Sequence, residues 1–248
     1  MTGLEIFTPE VLVLLFSAFL AGSIDAVVGG GGLIQIPALF TLYPQQLPAT
    51  LFGTNKFSSI FGTSSAALAY LRQVRMPWRT VLPAALAALL FAFLGAMAVS
   101  WLPKESLRPV MLVLLLFAAV YTLNKPDFGK QHRPAHSGRL ELVYALLLGA
   151  LIGFYDGFFG PGTGSFLIFL FIRYFGFDFL HASASAKLVN VATNLAALGY
   201  FLPKGYWLPA IALLMAVCNV TGAQIGTRLA LRFGNHFIRR VFLIPSCC

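Results

Sequence analysis

Two carboxylates, Asp25 and Asp156, lie inside long apolar runs, and each is followed within a few positions by glycines. The surrounding stretches read AGSIDAVVGGGGLIQIPALF over residues 21–40 and GFYDGFFGPGTGSFLIFLF over residues 153–171. A carboxylate in an apolar run is costly unless it is paired or wet, so each aspartate marks a candidate site. Glycine and proline free the backbone from regular geometry, and lipid tolerates such backbone only where it is buried in protein or lines a cavity. The pattern predicts helices that break at Gly29, Gly30, Gly31 and Gly32 and again at Gly160, Pro161 and Gly162, each followed by a short half-helix. Unpaired amides at a half-helix N-terminus sit at the positive end of its dipole and bind anions. Thr163 and Ser165 can add hydroxyl donors there, and Gln35 an amide. The competing explanation is that the glycines only let membrane helices pack closely.

A second pair of elements carries lysines. Lys56, Ser59 and Thr63 fall at i, i+3 and i+7, as do Lys187, Asn190 and Asn194, so each set lies on one helical face. A lysine so placed binds an anion, pairs with an acid, or snorkels to the interface. Asp25 and Asp156 likewise have two open roles, carrying a proton during transport or holding a lysine and a helix break in place.

These residues need a scaffold, and the composition describes it. The 248-residue chain is 58% hydrophobic and 10% charged, with a mean hydropathy of +0.83. That balance belongs to an all-α polytopic membrane protein. Its net charge of +9 sits between apolar runs rather than on one surface, which favours loops at a lipid bilayer over a nucleic-acid partner. Short apolar runs over residues 33–42 and 166–175 follow the two glycine clusters, the expected look of broken or re-entrant helices.

One ungapped offset relates the two parts of the chain. Asp25 and Asp156 are 131 positions apart, as are Gly22 and Gly153, Gly29 and Gly160, Gly31 and Gly162, Lys56 and Lys187, Gly95 and Gly226, and Arg108 and Arg239. The expected organisation is a first repeat half over residues 1–123, a polar basic linker over 124–139, and a second half over 140–248. Arg72, Arg75 and Arg79 crowd one connection of the first half, whereas the matching connection of the second holds only Lys204 and the later one holds Arg232, Arg239 and Arg240. The positive-inside rule then favours an inverted repeat, with parallel repeats as the alternative. The second half stops nine residues after Arg239, so it is expected to lack a complete last helix.

The paired motifs AGSIDAVVGGGGLIQIPAL with GTNKFSSIFGT, and GFYDGFFGPGTGSF with ASAKLVNVATN, resemble those of the TauE/SafE family, the sulfite exporter-type membrane permeases. The resemblance runs from about residue 12 to residue 240. It implies a multi-pass permease of the bacterial inner membrane that moves small anions such as sulfite, sulfonates or related sulfur compounds. It places the family motifs at Asp25, the cluster from Gly29 to Gly32, Asn55 and Lys56, and at Asp156, Gly160, Pro161, Gly162, Lys187 and Asn190.

The expected function is a secondary transporter of a small anionic substrate, working by rocking of the two halves about a midplane site. An uncoupled anion channel and, less favoured, a membrane-embedded enzyme or assembly factor are the alternatives. His132, His136, His181 and His236 show no metal-ligand spacing and no nucleotide-binding glycine loop is present, so no metal, cofactor or catalytic residue is expected. The spacing of Gly222 and Gly226 points to helix packing. Assembly into a homo-oligomer is left open.

Overall fold

The structure, a computed structural model, describes residues 8–101, 113 and 138–243, and every regular element among them is helical. Apart from residue 113, the apolar run over 107–123 lies outside the described residues, as do the linker over 124–137 and the ending after residue 243, and with them the expectation of an incomplete last helix. The elements with described bounds are, in order, α1 Pro9–Val28, α2 Gly32–Leu42, α3 Pro48–Gln73, α4 Trp78–Trp101, α5 Arg139–Phe158, α6 Thr163–Phe175, α7 Phe179–Phe201 and α8 Pro209–Leu243. Helix α5 thus starts one residue inside the segment expected as linker.

Helices α1, α4, α5 and α8 are long and apolar enough to cross a membrane. Helices α3 and α7, of 26 and 23 residues, are as long but carry the polar stripes. Helices α2 and α6 have only 11 and 13 residues, about 17–20 Å at the helical rise and short of the hydrocarbon thickness. Each follows a break that glycine makes possible. Gly29, at φ 76°, ends α1, while Gly160 at 96° and Gly162 at 80° separate α5 from α6. Those angles lie in the left-handed region, where a residue with a Cβ is strained.

The two breaks pack against each other. The Ser165 amide donates to the Gly29 carbonyl at 2.9 Å, and the Ser165 hydroxyl donates to the Val28 carbonyl at 2.7 Å. A Cβ on Gly29 would lie 2.6 Å from the Ser165 nitrogen, so the approach depends on glycine on one side and on Gly164 on the other.

Helices pair crosswise along the chain. The principal partner of α1 is α8, and that of α4 is α5. Gly22, Gly222 and Gly226 set the backbones of α1 and α8 in contact, opposite Asn219, Phe19 and Ser23. Gly149, Gly153 and Gly157 do the same for α5 against Ala84, Ala88 and Ala92 of α4. In lipid, where apolar burial drives helix association little, such small-residue contacts maximise van der Waals packing. The spacing of Gly222 and Gly226 is therefore a packing seam.

Helix α3 also lies on α8, and α7 on α4. Two mixed bundles result, α1 with α3 and α8, and α4 with α5 and α7, which meet where α3 touches α7. Leu12, Val13 and Phe16 on α1, Leu86 and Leu90 on α4, and Leu147 and Leu151 on α5 stay exposed, the apolar outer surface that a bilayer covers.

Candidate anion site between the broken helices

Where the breaks meet the polar stripes of α3 and α7, a cavity of about 40 Å³ opens among Asp25, Lys56, Asp156, Asn55, Asn190 and the glycines of both breaks. That is room for one or two waters or a very small anion.

The strongest contacts are two crosswise ion pairs. Lys56 on α3 donates from Nζ to Oδ2 of Asp156 on α5 at 2.5 Å, and Lys187 on α7 donates to Oδ2 of Asp25 on α1 at 2.8 Å. Each pair joins one mixed bundle to the other. Lysine and aspartate taken singly are expensive at this depth, and pairing with hydrogen-bond geometry is what makes both tolerable. The pairs differ in access: the Asp156 side chain is 6% exposed and that of Asp25 21%. Lys187 is fully buried and stands behind Asp25 rather than on the cavity wall.

The backbone contributes in part as the helix-terminus argument requires. Gly31, Gly32, Gly162 and Gly164 line the cavity. At the start of α6 the Ser165 amide is taken by Gly29 and the Thr163 amide by Gly160. The hydroxyls expected to face an anion are also occupied. Thr163 donates to the Gly160 carbonyl and Ser165 to Val28, so both brace the break. Gln35 does the same at a distance, donating to Ser58 at 2.9 Å and accepting from Asn219 at 3.4 Å.

Of the candidate residues, Asp25, Gly29, Gly31, Gly32, Asn55, Lys56, Asp156, Gly160, Gly162, Thr163 and Asn190 line the cavity. Gly30, Pro161 and Lys187 do not. Gly30 sits against Ile24, Ser165 and Leu33, and Pro161 presents its carbonyl to the Tyr155 hydroxyl at 2.6 Å. The stripe residues Ser59, Thr63 and Asn194 join the wall, with the Thr63 hydroxyl 3.5 Å from Asp25.

Asn219 of α8 is the lining residue that sequence reasoning missed. Its amide donates to the Ala18 carbonyl at 3.2 Å, and Gly62 makes room for its side chain. The available signal was a lone asparagine in an apolar stretch, facing the Gly222 seam. Two further amides stand out, since the Oδ1 atoms of Asn55 and Asn190 are buried without a hydrogen-bond partner. Unsatisfied buried amides are uncommon and point to a polar ligand or water. Rotating either amide by half a turn exchanges its carbonyl for an N–H donor. Among the described residues, no three of His, Cys, Asp and Glu gather as a metal would need.

The sulfite exporter TauE/SafE family profile matches residues 14–247 of the chain. A probable membrane transporter protein, ORF9, of Sinorhizobium sp is 40% identical over 96% of the chain and 90% of its own length. The probable membrane transporter protein YfcA of Escherichia coli strain K12 is 35% identical over 94% of the chain and 86% of its own length. The probable membrane transporter protein YdhB of Bacillus subtilis strain 168 is 22% identical over 95% and 97%. No solved structure matches the chain.

Proposed function

The chain belongs to the sulfite exporter TauE/SafE family, a multi-pass transporter of the inner membrane rather than an enzyme, and from that premise we propose that it carries a sulfur oxyanion, sulfite or a small sulfonate, by alternating access at the central cavity. The observation that carries this reading is the exchange of lysine and aspartate partners, Lys56 with Asp156 and Lys187 with Asp25.

The two lysines and two aspartates cancel in formal charge, so an entering anion finds no net positive site. It binds by taking the place of a carboxylate on a lysine, with the amides around Gly32 and Gly164 and the side chains of Asn55 and Asn190 completing its shell. The displaced carboxylate is relieved by a proton, so anion and proton travel together. Asp156 is faced by Lys56 from α3 and flanked by Tyr155 on its own helix. Asp25 is faced by Lys187 from α7 and by Thr63 from α3.

The organisation proposed is an inverted repeat of residues 1–123 and 140–248 about the linker 124–139. Contacts that recur under the 131-residue offset support the repeat, since Gly22 lies on Asn219 as Gly153 lies on Ala88, and Gly226 lies on Ser23 as Gly95 lies on Phe154; the loop charges favour its inversion. The bodies that rock are then the mixed bundles rather than the sequence halves first expected, because α4 and α8 each pack on the other half. Both ion pairs span that division, so each opening breaks or remakes them.

Uptake of radiolabelled sulfite into proteoliposomes tests the reading. Wild-type protein accumulates sulfite under an inward proton gradient and Lys56→Gln does not; equal uptake by the two proteins overturns the site.

A further inference from the structure

We propose that a pocket of about 750 Å³ between α3 and α8, lined by Arg72, Arg228 and Arg232, is an outer binding site for the same class of oxyanion, an antechamber from which it enters the central cavity. This rests on the transport reading above and adds a second site to it.

Position along the two helices makes the argument. On α3, Thr63 lines the central cavity and Ala69 the arginine pocket; on α8, Asn219 lines the first and Thr227 the second. Between them, one turn from each, lie Ala66 and Ala223, which close with Ala26 of α1 into a small buried cluster. Thr63 to Ala69 is about 9 Å along the helix axis. The small side chains of Ala26, Ala66 and Ala223 lie on this path, and the proposed route opens where α3 parts from α8.

The chemistry suits an oxyanion. Three exposed arginines from two helices line it, with Gln73, Gln224 and Ser65 beside them; the Arg232 guanidinium rests 5.6 Å over the Phe233 ring, and among the described residues no carboxylate pairs with Arg72, Arg228 or Arg232. Guanidinium is a planar fork that grips oxyanions in two-point fashion and keeps its charge at any working pH.

Loop charge that orients the protein would explain basic residues on this face, but not this pocket. The positions 131 residues away from the three arginines are Pro203, Met97 and Trp101. There the corresponding space is filled. Tyr200, the counterpart of Ala69, packs edge-on to Phe93 at 5.7 Å, and its hydroxyl meets that of Ser100 at 2.5 Å. The duplicated scaffold thus carries an open basic pocket on one side and an aromatic plug on the other. The arginines belong to the side through which this conformation is nearer to opening.

The test uses the full chain with Arg72, Arg228 and Arg232 all changed to Gln, and Arg228→Gln alone as a milder variant. In proteoliposomes of phosphatidylcholine, KM for radiolabelled sulfite rises about tenfold or more in the triple variant while kcat is largely kept, and the KM loses its dependence on ionic strength. An unchanged KM overturns the antechamber. A defect that appears only when phosphatidylglycerol is added also overturns it, assigning the pocket to lipid headgroups. Equilibrium binding of sulfite to purified protein separates this inference from the transport reading. Lys56→Gln, expected to be transport-dead, still binds sulfite through the arginines. If it shows no arginine-dependent binding while wild type transports, the outer site fails and the transport reading stands.

Discussion

Lys56 and Asp156 stand 2.5 Å apart though 100 positions separate them in the chain, and the bond they form runs from one mixed bundle to the other. Its counterpart from Lys187 to Asp25 runs the opposite way. A pair in that place ties the bundles together, and on the proposed mechanism it is what an anion displaces to bind.

Separating these roles is the first prediction. Lys56→Met leaves Asp156 buried without its counter-charge, and removing one partner of a buried pair costs about 3–5 kcal/mol. Replacing both, Lys56→Met with Asp156→Leu, removes the unpaired charge and is expected to recover most of that stability. Transport stays lost in both proteins. Thermal unfolding in detergent and sulfite uptake on the same preparations check the two halves of this statement, and recovery of uptake in the double variant would show the pair to be structural only.

The unequal burial of the two lysines supplies the second. Asp25→Asn strands the Lys187 ammonium, which is fully buried and off the cavity wall, whereas Asp156→Asn strands Lys56, which lines the cavity. Asp25→Asn therefore lowers the melting temperature more. On the proposed mechanism each variant accumulates less sulfite against a gradient than wild type, because one of the two carboxylates can no longer take up a proton. Uptake measured with and without an imposed pH difference reads this directly.

A third concerns the contact between the breaks. Gly29→Ala places a Cβ 2.6 Å from the Ser165 nitrogen at a φ of 76°, and the left-handed backbone alone costs about 1–2 kcal/mol. Gly30→Ala meets nothing closer than 3.7 Å and is the control. The first loses several degrees of melting temperature and most of its uptake, whereas the second stays near wild type.

The fourth follows from cavity size. A space of about 40 Å³ takes a compact oxyanion more readily than one carrying an alkyl tail. In a thermal stabilisation panel, sulfite raises the melting temperature more than ethanesulfonate, since a ligand that binds only the folded state stabilises it by mass action. Equal stabilisation by both would place binding elsewhere or in a wider conformation.

Much of this site was legible because its parts are duplicated. Asp25 and Asp156, Lys56 and Lys187, and both glycine breaks repeat at one offset, and a rare charge in an apolar run stands out by its cost alone. The pairing between them was not legible. Helical spacing places Lys56 on a face but does not say that the acid opposite comes from the other half, since that depends on α4 and α8 changing sides. For the same reason Asn219 was missed, being one amide in an apolar helix whose orientation is fixed by contacts with Gly22 and Gly62 from the other half. The hydroxyls of Thr163 and Ser165 were read as open donors because a sequence lists donors without their nearest carbonyls.

The exchange of helices also governs how such a chain comes to be made. When residues 1–101 have left the ribosome, α1 has no α8, α4 has no α5, and Asp25 and Lys56 have no partners among themselves. Synthesis of the rest takes several seconds or more at about 5–20 residues per second. During that interval two charges without their ion-pair partners, and the faces of α1 and α4 that α8 and α5 later cover, must be held at the insertion machinery or in its lipid surroundings. A chain arrested after the first helices therefore holds Asp25 and Lys56 without their ion-pair partners and α1 and α4 without their principal packing partners.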